Sequence, residues 1–307
     1  MIPLYRGTVG LDTRARPEDL AYSRESGVMA LAKAVNVKLE RTGDGRGRIS
    51  RVHGYTEHTA GQFHSGFRDG GDAFVGKGTA LYRFLRDKTL QGVRSGLTGA
   101  RIAYAQHGND TWYSNGTQNG VITDGVSRAW PTGAYLGPET TEAFSPAPVA
   151  KHMGIYNGRM FLVPAAEPDT LYASEPFQFG LYAMARRFWR FGAPVLMIAP
   201  VKNGLFISTD AKTYFMPELE PMNFGLDEVA GYPAYEWSLL PQTVDGQRLG
   251  LESNGQCRVW IGKEGLCLGM PDGQMINMTR KRIAAHTCEG SGATVLIGQN
   301  VIHSVGI

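Results

Sequence analysis

The sequence contains few cysteines, and their scarcity excludes a protein held together by disulfides. Only three of its 307 residues are cysteine, and none lies in a C-x-x-C motif. The three positions, Cys257, Cys267 and Cys288, are too few and too widely spaced for a disulfide framework. An odd number of cysteines without a secretion signal favours a reducing compartment.

Long apolar runs are also missing. The best run, 193–201, is interrupted by Pro194 and Pro200, whereas a spanning helix needs roughly 18 apolar residues. Residues 1–10 lack the charged and apolar regions of a secretion signal. We therefore expect a soluble protein with no membrane span that does not leave the cell by Sec export.

Positive and negative charges nearly balance each other in the sequence. The sequence has 31 Lys and Arg against 28 Asp and Glu, which leaves a net charge of +3. This is too small for a general attraction to nucleic acid. Local basic clusters are interpreted as solvated or paired surface groups: Arg46, Arg48 and Arg51; Arg186, Arg187 and Arg190; Arg280, Lys281 and Arg282.

Glycine, in contrast, is abundant, with 40 residues, and it marks turns between short strands. From Asn36 onward, short runs rich in Val, Ile, Phe, Tyr and Trp alternate with turn signals. Asn-Gly and Asp-Gly pairs tolerate the positive φ angles of tight hairpin turns. Such turns are predicted at 156–158, 202–204, 244–246, 253–255 and 271–273. The pattern indicates a string of antiparallel hairpins.

Loosely similar units along the chain predict the fold class. Repeats of about 40–50 residues, each with four short strands, are typical of β-propellers. We predict an all-β protein, with a β-propeller of about six blades over residues 36–307 and a short N-terminal arm or helix over residues 1–35. The terminal stretch 294–306 is expected to complete the first blade. A tandem of β-sandwiches is the structural alternative.

No motif for catalysis or cofactor binding is complete. Residues 71–77 match the first seven positions of a P-loop, but Gly78 stands where Ser or Thr should reach Mg²⁺. The glycine-rich stretch 43–47 lacks the strand and helix of a dinucleotide site. G-x-S-x-G and H-E-x-x-H are both absent. The sequence therefore predicts no catalytic residue, no cofactor-binding residue, no cofactor and no enzymatic activity.

Several polar and aromatic residues leave alternatives open. His53, His58 and His64 lie close in sequence, but ordinary surface or half-buried histidines are favoured over a zinc site, so no metal ligand is predicted. Five aspartates in turn contexts are glycosidase candidates or, more simply, caps of their own backbone: Asp110, Asp124, Asp169, Asp210 and Asp245. Three tryptophans are candidates for the core or for a partner interface: Trp112, Trp130 and Trp237.

Three segments are candidates for contact with partners. The stretches 131–150 and 216–228 are too long for hairpin turns, and long loops on a rigid scaffold often hold partner contacts. Segment 182–191 mixes four aromatic residues with three arginines, as interface cores do. Packing of this segment on the ring is the alternative.

Two segments carry a more specific pattern. In 30–55, an Ala-rich stretch leads to Asn-Val, an alternating strand, a Thr-Gly turn and a basic strand ending in Gly-Tyr. The matching positions are Ala30, Ala34, Asn36, Val37, Leu39, Thr42, Gly43, Arg48, Arg51, Gly54 and Tyr55. In 152–176, an Asn-Gly-Arg hairpin and an apolar strand precede a strand ending in Ser. Both segments resemble the β-propeller structural proteins of tailed bacteriophages, found at the head-to-tail connector or in the tail nozzle.

The resemblance implies a structural virion protein. Copies of the chain would self-associate into a ring, with a hexamer favoured, around the channel through which DNA passes without specific binding. Its neighbours would be portal, adaptor or tail proteins, and it would be located in the virion after assembly in the host cytoplasm. The alternatives are a tail-tip receptor- or carbohydrate-binding β protein and a glycan-degrading propeller enzyme.

Overall fold

The described part of the chain consists of strands and their connections. The computed structural model describes residues 59–69, 72–220, 223–249, 255–280, 290–297 and 300–305, together with five strands before residue 52. Side chains are described within 59–68, 72–218, 223–247, 255–280 and 290–294. The one helical turn of these residues is a 3₁₀ turn at Gly246–Leu249. None of the described residues forms a helix of the length and apolarity that a bilayer requires.

The strands before residue 52 form one sheet. They are β1 (Gly7–Leu11), β2 (Tyr22–Ser23), β3 (Val28–Leu31), β4 (Val37–Arg41) and β5 (Gly47–Arg51), in the spatial order β2-β3-β1-β5-β4. β1 and β3 pair in parallel. The predicted N-terminal helix is therefore wrong for these described strands of 1–35, since strand pairing overrides a weak helical pattern. The sheet joins strands from both sides of residue 35, and the domain boundary there stays a prediction.

Five antiparallel sheets follow, and each begins with its innermost strand. The first contains β6 (Phe63–Asp69), β7 (Asp72–Lys77), β8 (Ala80–Phe84) and β9 (Leu90–Arg94). The second contains β10 (Ala103–His107), β11 (Asp110–Ser114), β12 (Asn119–Thr123) and β13 (Val126–Arg128). The third sheet contains β15 (Ala150–Tyr156), β16 (Arg159–Pro164), β17 (Thr170–Ala173) and β19 (Phe188–Arg190). Two short strands lie outside it: β14 (Ser145–Pro146), before β15, and β18 (Leu181–Tyr182), between β17 and β19. β14 pairs with β18.

The last sheets complete the described chain. The fourth contains β20 (Val195–Val201), β21 (Gly204–Thr209), β22 (Thr213–Glu220), β23 (Asn223–Phe224) and β24 (Asp227–Ala230), and the fifth contains β25 (Val244–Asp245), β26 (Gln256–Gly262), β27 (Gly265–Gly269) and β28 (Met275–Asn277). The final strands, β29 (Gly292–Ile297) and β30 (Asn300–Val305), pair with each other in a two-stranded sheet. The expectation that the terminal strand completes the first blade is not met among the described strands.

These sheets are the blades of a β-propeller. The innermost strands β6, β10, β15 and β20 neighbour one another in chain order, and all four line one central cavity. The fifth blade contributes the segment 234–245, which pairs with β26 at both ends. Gln242 donates a hydrogen bond to the carbonyl oxygen of Arg68, which links the fifth blade to the first. The predicted all-β propeller is confirmed.

The hairpin predictions have mixed outcomes. Asn157 and Gly158 form a two-residue turn with φ angles of 45° and 68°, as predicted. At 202–204 the turn lies one residue earlier, because Gly204 already pairs in β21. The hairpin turn predicted at 244–246 is wrong, because β25 ends at Asp245 and a 3₁₀ turn follows it. Gly273 lies in the connection between β27 and β28 with a φ of 91°, and 253–254 lie outside the described residues.

Much of the hydrophobic core lies between neighbouring blades. Along β16, Met160 and Leu162 belong to the cluster shared with the second blade. Phe161 and Val163 belong to the cluster shared with the fourth blade. Because both faces of the strand are buried, the sequence shows a continuous apolar run instead of a strict alternation.

A buried serine fastens one blade to the next at two places. Ser114 Oγ accepts a hydrogen bond of 2.8 Å from the backbone N–H of Ala150, where β15 begins. Ser208 Oγ accepts one of 2.7 Å from the N–H of Ala234 in the fifth blade. Both serines are fully buried, so these bonds satisfy backbone donors that water cannot reach. They fix where each new blade begins.

Candidate functional site

The candidate site is the central cavity on the propeller axis. Its volume is about 1160 Å³, the scale of a small-molecule binding site. Its lining includes residues of the inner strands β6, β10, β15 and β20, of β7 and β8, and of β29. The fifth blade contributes Trp237, Leu239, Pro241, Gln242 and Arg258. We call the end where the inner strands begin the proximal end, and the opposite end the distal end.

The proximal end is held by a carboxylate with two nitrogen partners. Glu236 Oε1 accepts hydrogen bonds from Lys151 Nζ at 2.6 Å and from His152 Nε2 at 3.0 Å. Lys151 and His152 lie in β15 of the third blade, whereas Glu236 lies in the fifth. The cluster therefore ties together blades that are not neighbours in the chain order.

The protonation states of this cluster follow from burial and hydrogen bonding. Burial lowers the pKa of His152, although its hydrogen bond to Glu236 acts in the opposite direction. Partial burial alone would raise the pKa of Glu236, but the bonds from His152 and Lys151 outweigh it and lower that pKa to about 2. The arrangement at neutral pH is thus a carboxylate, an ammonium and a neutral imidazole that donates from Nε2.

Trp237 forms the centre of the proximal end. One side of its indole packs against the ring of His152, with centroids 4.8 Å apart. The guanidinium carbon of Arg101 lies 5.8 Å from the same indole, and the Arg101 guanidinium donates a 2.8 Å bond to the carbonyl of Gly292. Trp237 has a φ of 66°, a strained conformation for a bulky residue. Residues from the second, third and fifth blades and from β29 thus meet here.

The distal end is held by Arg258. Its Nε donates to the carbonyl of Pro200 at 2.8 Å and its guanidinium donates to the carbonyl of Pro241 at 2.5 Å. Arg258 also lines a second cavity of about 540 Å³, together with Lys202. The distal end is consequently basic.

The charge of the cavity lining has one sign. Arg68, Arg101 and Arg258 line it, and the described lining residues include no Asp and no Glu. Glu236 stands next to the lining, but Lys151 balances its charge. The arginines are therefore the only charged side chains of Asp, Glu, Lys or Arg type among the described lining residues.

One wall has polar atoms with no partner. Tyr104 and Gln106 both line the cavity from β10. The Tyr104 hydroxyl and Gln106 Oε1 are buried and, among the described residues, have no hydrogen-bond partner. Burial raises the pKa of Tyr104 well above its ordinary value, so the hydroxyl is a donor at any physiological pH. Unpaired buried polar groups of this kind are rare and need an explanation.

The P-loop near match has a structural role. Asp72–Lys77 is the strand β7, and β8 follows it in a hairpin. A true P-loop would have a helix at this point. Lys77 Nζ lies 5.3 Å from the ring centroid of Phe63. His64 bonds Ser65 and the carbonyl of Gly78, while His53 and His58 lie outside the described residues. Among the residues described, no group of three side chains is arranged to hold a metal ion.

The candidate aspartates are not brought together into one cleft. None of the five lines the central cavity. Asp110 accepts a bond from Thr123 at 2.5 Å, and Asp169 accepts one from Thr170 at 3.0 Å. Asp245 caps the backbone N–H of Gln247 at 3.1 Å, and Asp124 occupies a turn with a φ of 52°. Asp245 behaves as the turn interpretation predicts.

The tryptophans divide between core and cavity. Trp112 and Trp130 are buried in one cluster, with ring centroids 4.9 Å apart, so they are core residues. Only Trp237 of these three lines the cavity. The sequence offered no signal for the neighbouring cluster of Lys151, His152 and Glu236, because His152 and Glu236 are 84 residues apart.

Segment 182–191 packs on the ring for most of its length. Tyr182 is fully buried, and Trp189 packs against the core between the third and fourth blades. Its arginines have acidic partners: Arg186 pairs with Glu142, Arg187 with Glu175, and Arg190 lies 3.8 Å from Glu167. Phe188 is the aromatic residue left partly exposed.

Two cysteines are buried and free. Cys257 and Cys267 form no disulfide. Burial raises the pKa of both thiols, that of Cys267 to about 11. They are therefore protonated at neutral pH and unsuited to nucleophilic chemistry. Cys288 lies outside the described residues.

Comparison with known proteins identifies no family. No family model matches the sequence, and no curated protein matches it. Similar solved structures include the extracellular domain of a one-component system candidate from B. thetaiotaomicron, with a TM-score of 0.47 and 13% identity over 82% of this chain. This chain spans 32% of the length of that protein chain.

Two similar structures are named as enzymes. Virginiamycin B lyase from Staphylococcus aureus gives a TM-score of 0.47 and 11% identity, over 93% of this chain and 90% of the lyase. A gluconolactonase from Xanthomonas campestris gives a TM-score of 0.45 and 10% identity, over 76% of this chain and 79% of that chain. At these identities, activity does not transfer, and the absence of enzymatic activity stays a prediction from the sequence.

Proposed function

We propose that this protein is a structural subunit of a tailed-bacteriophage virion, placed in the tail nozzle or head-to-tail connector. The observation that carries the proposal is the pattern of residues 30–55 and 152–176. Copies of the chain form a ring, with six favoured, and contact portal, adaptor or tail proteins.

The residues of the second pattern are used inside the blade, as an architectural motif requires. The Arg159 guanidinium donates to the carbonyl of Ser174 at 2.8 Å. Ser174 Oγ accepts from the N–H of Met160 at 2.9 Å and donates to the carbonyl of Glu175 at 2.8 Å. These polar groups hold β16 and the end of β17 together. This supports a role in building a rigid scaffold.

The cavity limits where DNA can pass. A space of about 1160 Å³ is the size of a small-molecule site, and the contacts of Trp237 with Arg101 and His152 bridge its proximal end. DNA therefore passes between copies of the chain and not along the axis of one propeller. In the proposed ring, several copies of the chain together form the DNA channel.

The glycosidase alternative lacks support at the cavity. It needs two carboxylates in one cleft, and none lines the described cavity wall. The unpartnered polar atoms of β10 are buried, so they do not favour the receptor alternative over the structural role.

The test is to locate the chain in the particle. Cryo-electron microscopy of the virion, or cross-linking of intact particles followed by mass spectrometry, should place several copies around the tail axis next to portal, adaptor or tail proteins. A location away from that axis contradicts the proposal.

Light scattering on the purified chain gives a second measurement. The expected mass is a multiple of the chain mass, six being favoured, once a neighbouring virion protein is added. If copies remain monomeric both alone and with the neighbour identified by cross-linking, the ring is wrong.

A further inference from the structure

We propose that two exposed surfaces of this chain, one on the first blade and one on the third, bind each other in neighbouring copies. Because the two surfaces differ, the contact is head-to-tail, and contacts of this kind generate a ring when the rotation closes. The inference rests on the ring of the proposed function and deepens it by naming the surfaces that join the copies.

The first surface is one face of the first blade, which we call the first-blade face. Alternation along the paired strands β6, β7 and β8 places six large side chains on this face: Phe63, Arg68, Val75, Lys77, Tyr82 and Phe84. Phe63 is 41% exposed and Phe84 is 44% exposed. The opposite face of the blade buries Phe67, Phe74 and Leu81 in the core shared with the second blade. Exposed apolar surfaces of this kind mark interaction sites.

The first-blade face is aromatic and basic, as the cores of protein–protein interfaces are. Arg68 is exposed, and no described residue pairs with its guanidinium. Lys77 Nζ lies 5.3 Å from the ring centroid of Phe63. Phe63, Arg68 and Phe84 also line the central cavity, so a protruding side chain has room to enter beside this face.

The second surface lies on the third blade, and we call it the third-blade patch. Its apolar members are Leu136, Phe177 and Phe188, which are 83%, 71% and 41% exposed. They belong to two segments that pack together, because β14 pairs with β18 and Glu142 pairs with Arg186. The most exposed of them, Leu136, protrudes from the loop 131–146 and is suited to enter a neighbouring concave surface.

Phe177 is held in its exposed position by a strained backbone. Its φ of 55° is a left-handed conformation that a bulky residue rarely adopts. Its N–H donates a 2.6 Å bond to the carbonyl of Gly158, and a Cβ at Gly158 would come within 2.6 Å of the Phe177 ring. Strain of this kind is concentrated where a function uses it, which supports a binding role for the patch.

The two surfaces are complementary in charge. Segment 131–150 contains Glu139 and Glu142 but no Lys or Arg. Glu142 is paired with Arg186, whereas Glu139 is exposed and has no partner among the described residues. Glu139 of one copy therefore matches Arg68 of the next, which favours this pairing of surfaces. A contact between two first-blade faces would instead bring like charges together.

The spacing of these residues also matches. Arg68 and Phe84 lie in one cross-strand row with Ala73 between them, so their backbones are about 10 Å apart. Leu136 and Glu139 are three residues apart in an exposed loop, and such a separation spans up to about 10 Å. Leu136 can therefore contact Phe84 while Glu139 pairs with Arg68.

Analytical ultracentrifugation of the full-length chain over a concentration series tests the proposal. We expect the wild type to associate as its concentration rises, and Phe84→Asp and Leu136→Asp each to weaken association at least about tenfold. Val126→Asp is the matched control, because Val126 is 55% exposed but lies in β13, on neither surface. A wild type that stays monomeric at every concentration, or variants that associate like the wild type, would overturn the proposal.

A mixture of the two variants tests the head-to-tail arrangement. Phe84→Asp keeps the third-blade patch and Leu136→Asp keeps the first-blade face, so one intact contact can form between the two proteins. The mixture should contain dimers and no larger species, while each variant alone remains monomeric. Absence of dimers in the mixture would show that the two surfaces do not bind each other.

Folding and the virion role are checked separately from association. Circular dichroism and the urea midpoint of all three variants should match those of the wild type, because the substituted side chains are exposed. A lower urea midpoint for Phe84→Asp with unchanged association would show that the chain itself covers the first-blade face, and the proposal would be wrong. If the surfaces do not bind but the chain lies around the tail axis, only this inference fails. If they bind but the chain lies elsewhere, only the proposed function fails.

Discussion

The proximal end of the cavity and the β10 wall differ in how their polar atoms are satisfied. At the proximal end, Glu236 has two nitrogen partners and Arg101 has both an aromatic and a carbonyl partner. On the β10 wall, Tyr104 and Gln106 hold buried atoms that no described residue pairs. A satisfied buried network holds a fold together, whereas unsatisfied atoms lower its stability unless a ligand completes them. Substitutions should therefore lower the free energy of unfolding at the proximal end and leave it unchanged or raise it on the β10 wall.

The largest effect is expected for Glu236→Gln. The substitution removes the negative charge that Lys151 and His152 share. An amide oxygen is a weaker acceptor than a carboxylate, so the free energy of unfolding should fall by about 2 kcal/mol. The free energy of unfolding in urea, followed by tryptophan fluorescence, measures this loss.

The matched control is Glu228→Gln. Glu228 pairs with Lys212 at the same distance of 2.6 Å, and Lys212 is as exposed as Lys151, but the Glu228 side chain is 45% exposed against 22% for Glu236. An exposed pair contributes under about 1 kcal/mol. If the two variants lose equal stability, the proximal end is an ordinary surface contact.

The next effect is the pH dependence due to His152. Because the pKa of His152 is lowered in the folded state, the unfolded chain takes up a proton first as the pH falls below about 6.5. Stability is therefore present at neutral pH and is lost on acidification, by up to about 1.4 kcal/mol per pH unit. Glu236 acts in the same direction at lower pH, since its pKa rises from about 2 to its ordinary value on unfolding.

Comparison with His152→Gln isolates this contribution. The glutamine amide can still donate to Glu236 but does not titrate. The difference in unfolding free energy between the wild type and the variant should shrink from pH 7 to pH 5. A difference that stays constant over this range shows that His152 does not titrate as argued.

More of the fold than of the candidate site could be predicted from the sequence. Turn dipeptides such as Asn157-Gly158 and the apolar run of β16 act over a few residues, so they can be interpreted locally. The helix expected before residue 35 was wrong because β3 pairs with β1, about 20 residues away in the chain. Pairing between distant segments leaves no periodic signal in either one.

The site depends on side chains that the chain brings together from far apart. Arg101 meets the carbonyl of Gly292 across 191 positions, and His152 meets Glu236 across 84. Nothing near Glu236 in the sequence distinguishes it from a solvated surface residue. The sequence does mark Trp237 as a candidate, but it leaves open whether the residue belongs to the core or to a partner interface, and the structure places it in the cavity lining.

On the β10 wall, Gln106→Leu should leave stability unchanged or raise it by about 1 kcal/mol. The substitution removes a buried acceptor that has no described partner, and relief of an unsatisfied polar group offsets the loss of its other contacts. Gln106 Nε2 donates only one long bond of 3.4 Å, to the carbonyl of Gly108. A loss above about 1 kcal/mol would mean that the amide is satisfied and that the two regions do not differ.

The smallest effect is expected for Tyr104→Phe, and it sharpens the comparison most. Removal of the unpaired hydroxyl should change the free energy of unfolding by less than about 0.5 kcal/mol, because no described partner is lost and the stacking on Phe67 remains. Urea titrations of the wild type and the variant measure this difference. A loss above about 1 kcal/mol would show that the hydroxyl has a partner, and the two regions would then not differ in how their polar atoms are satisfied.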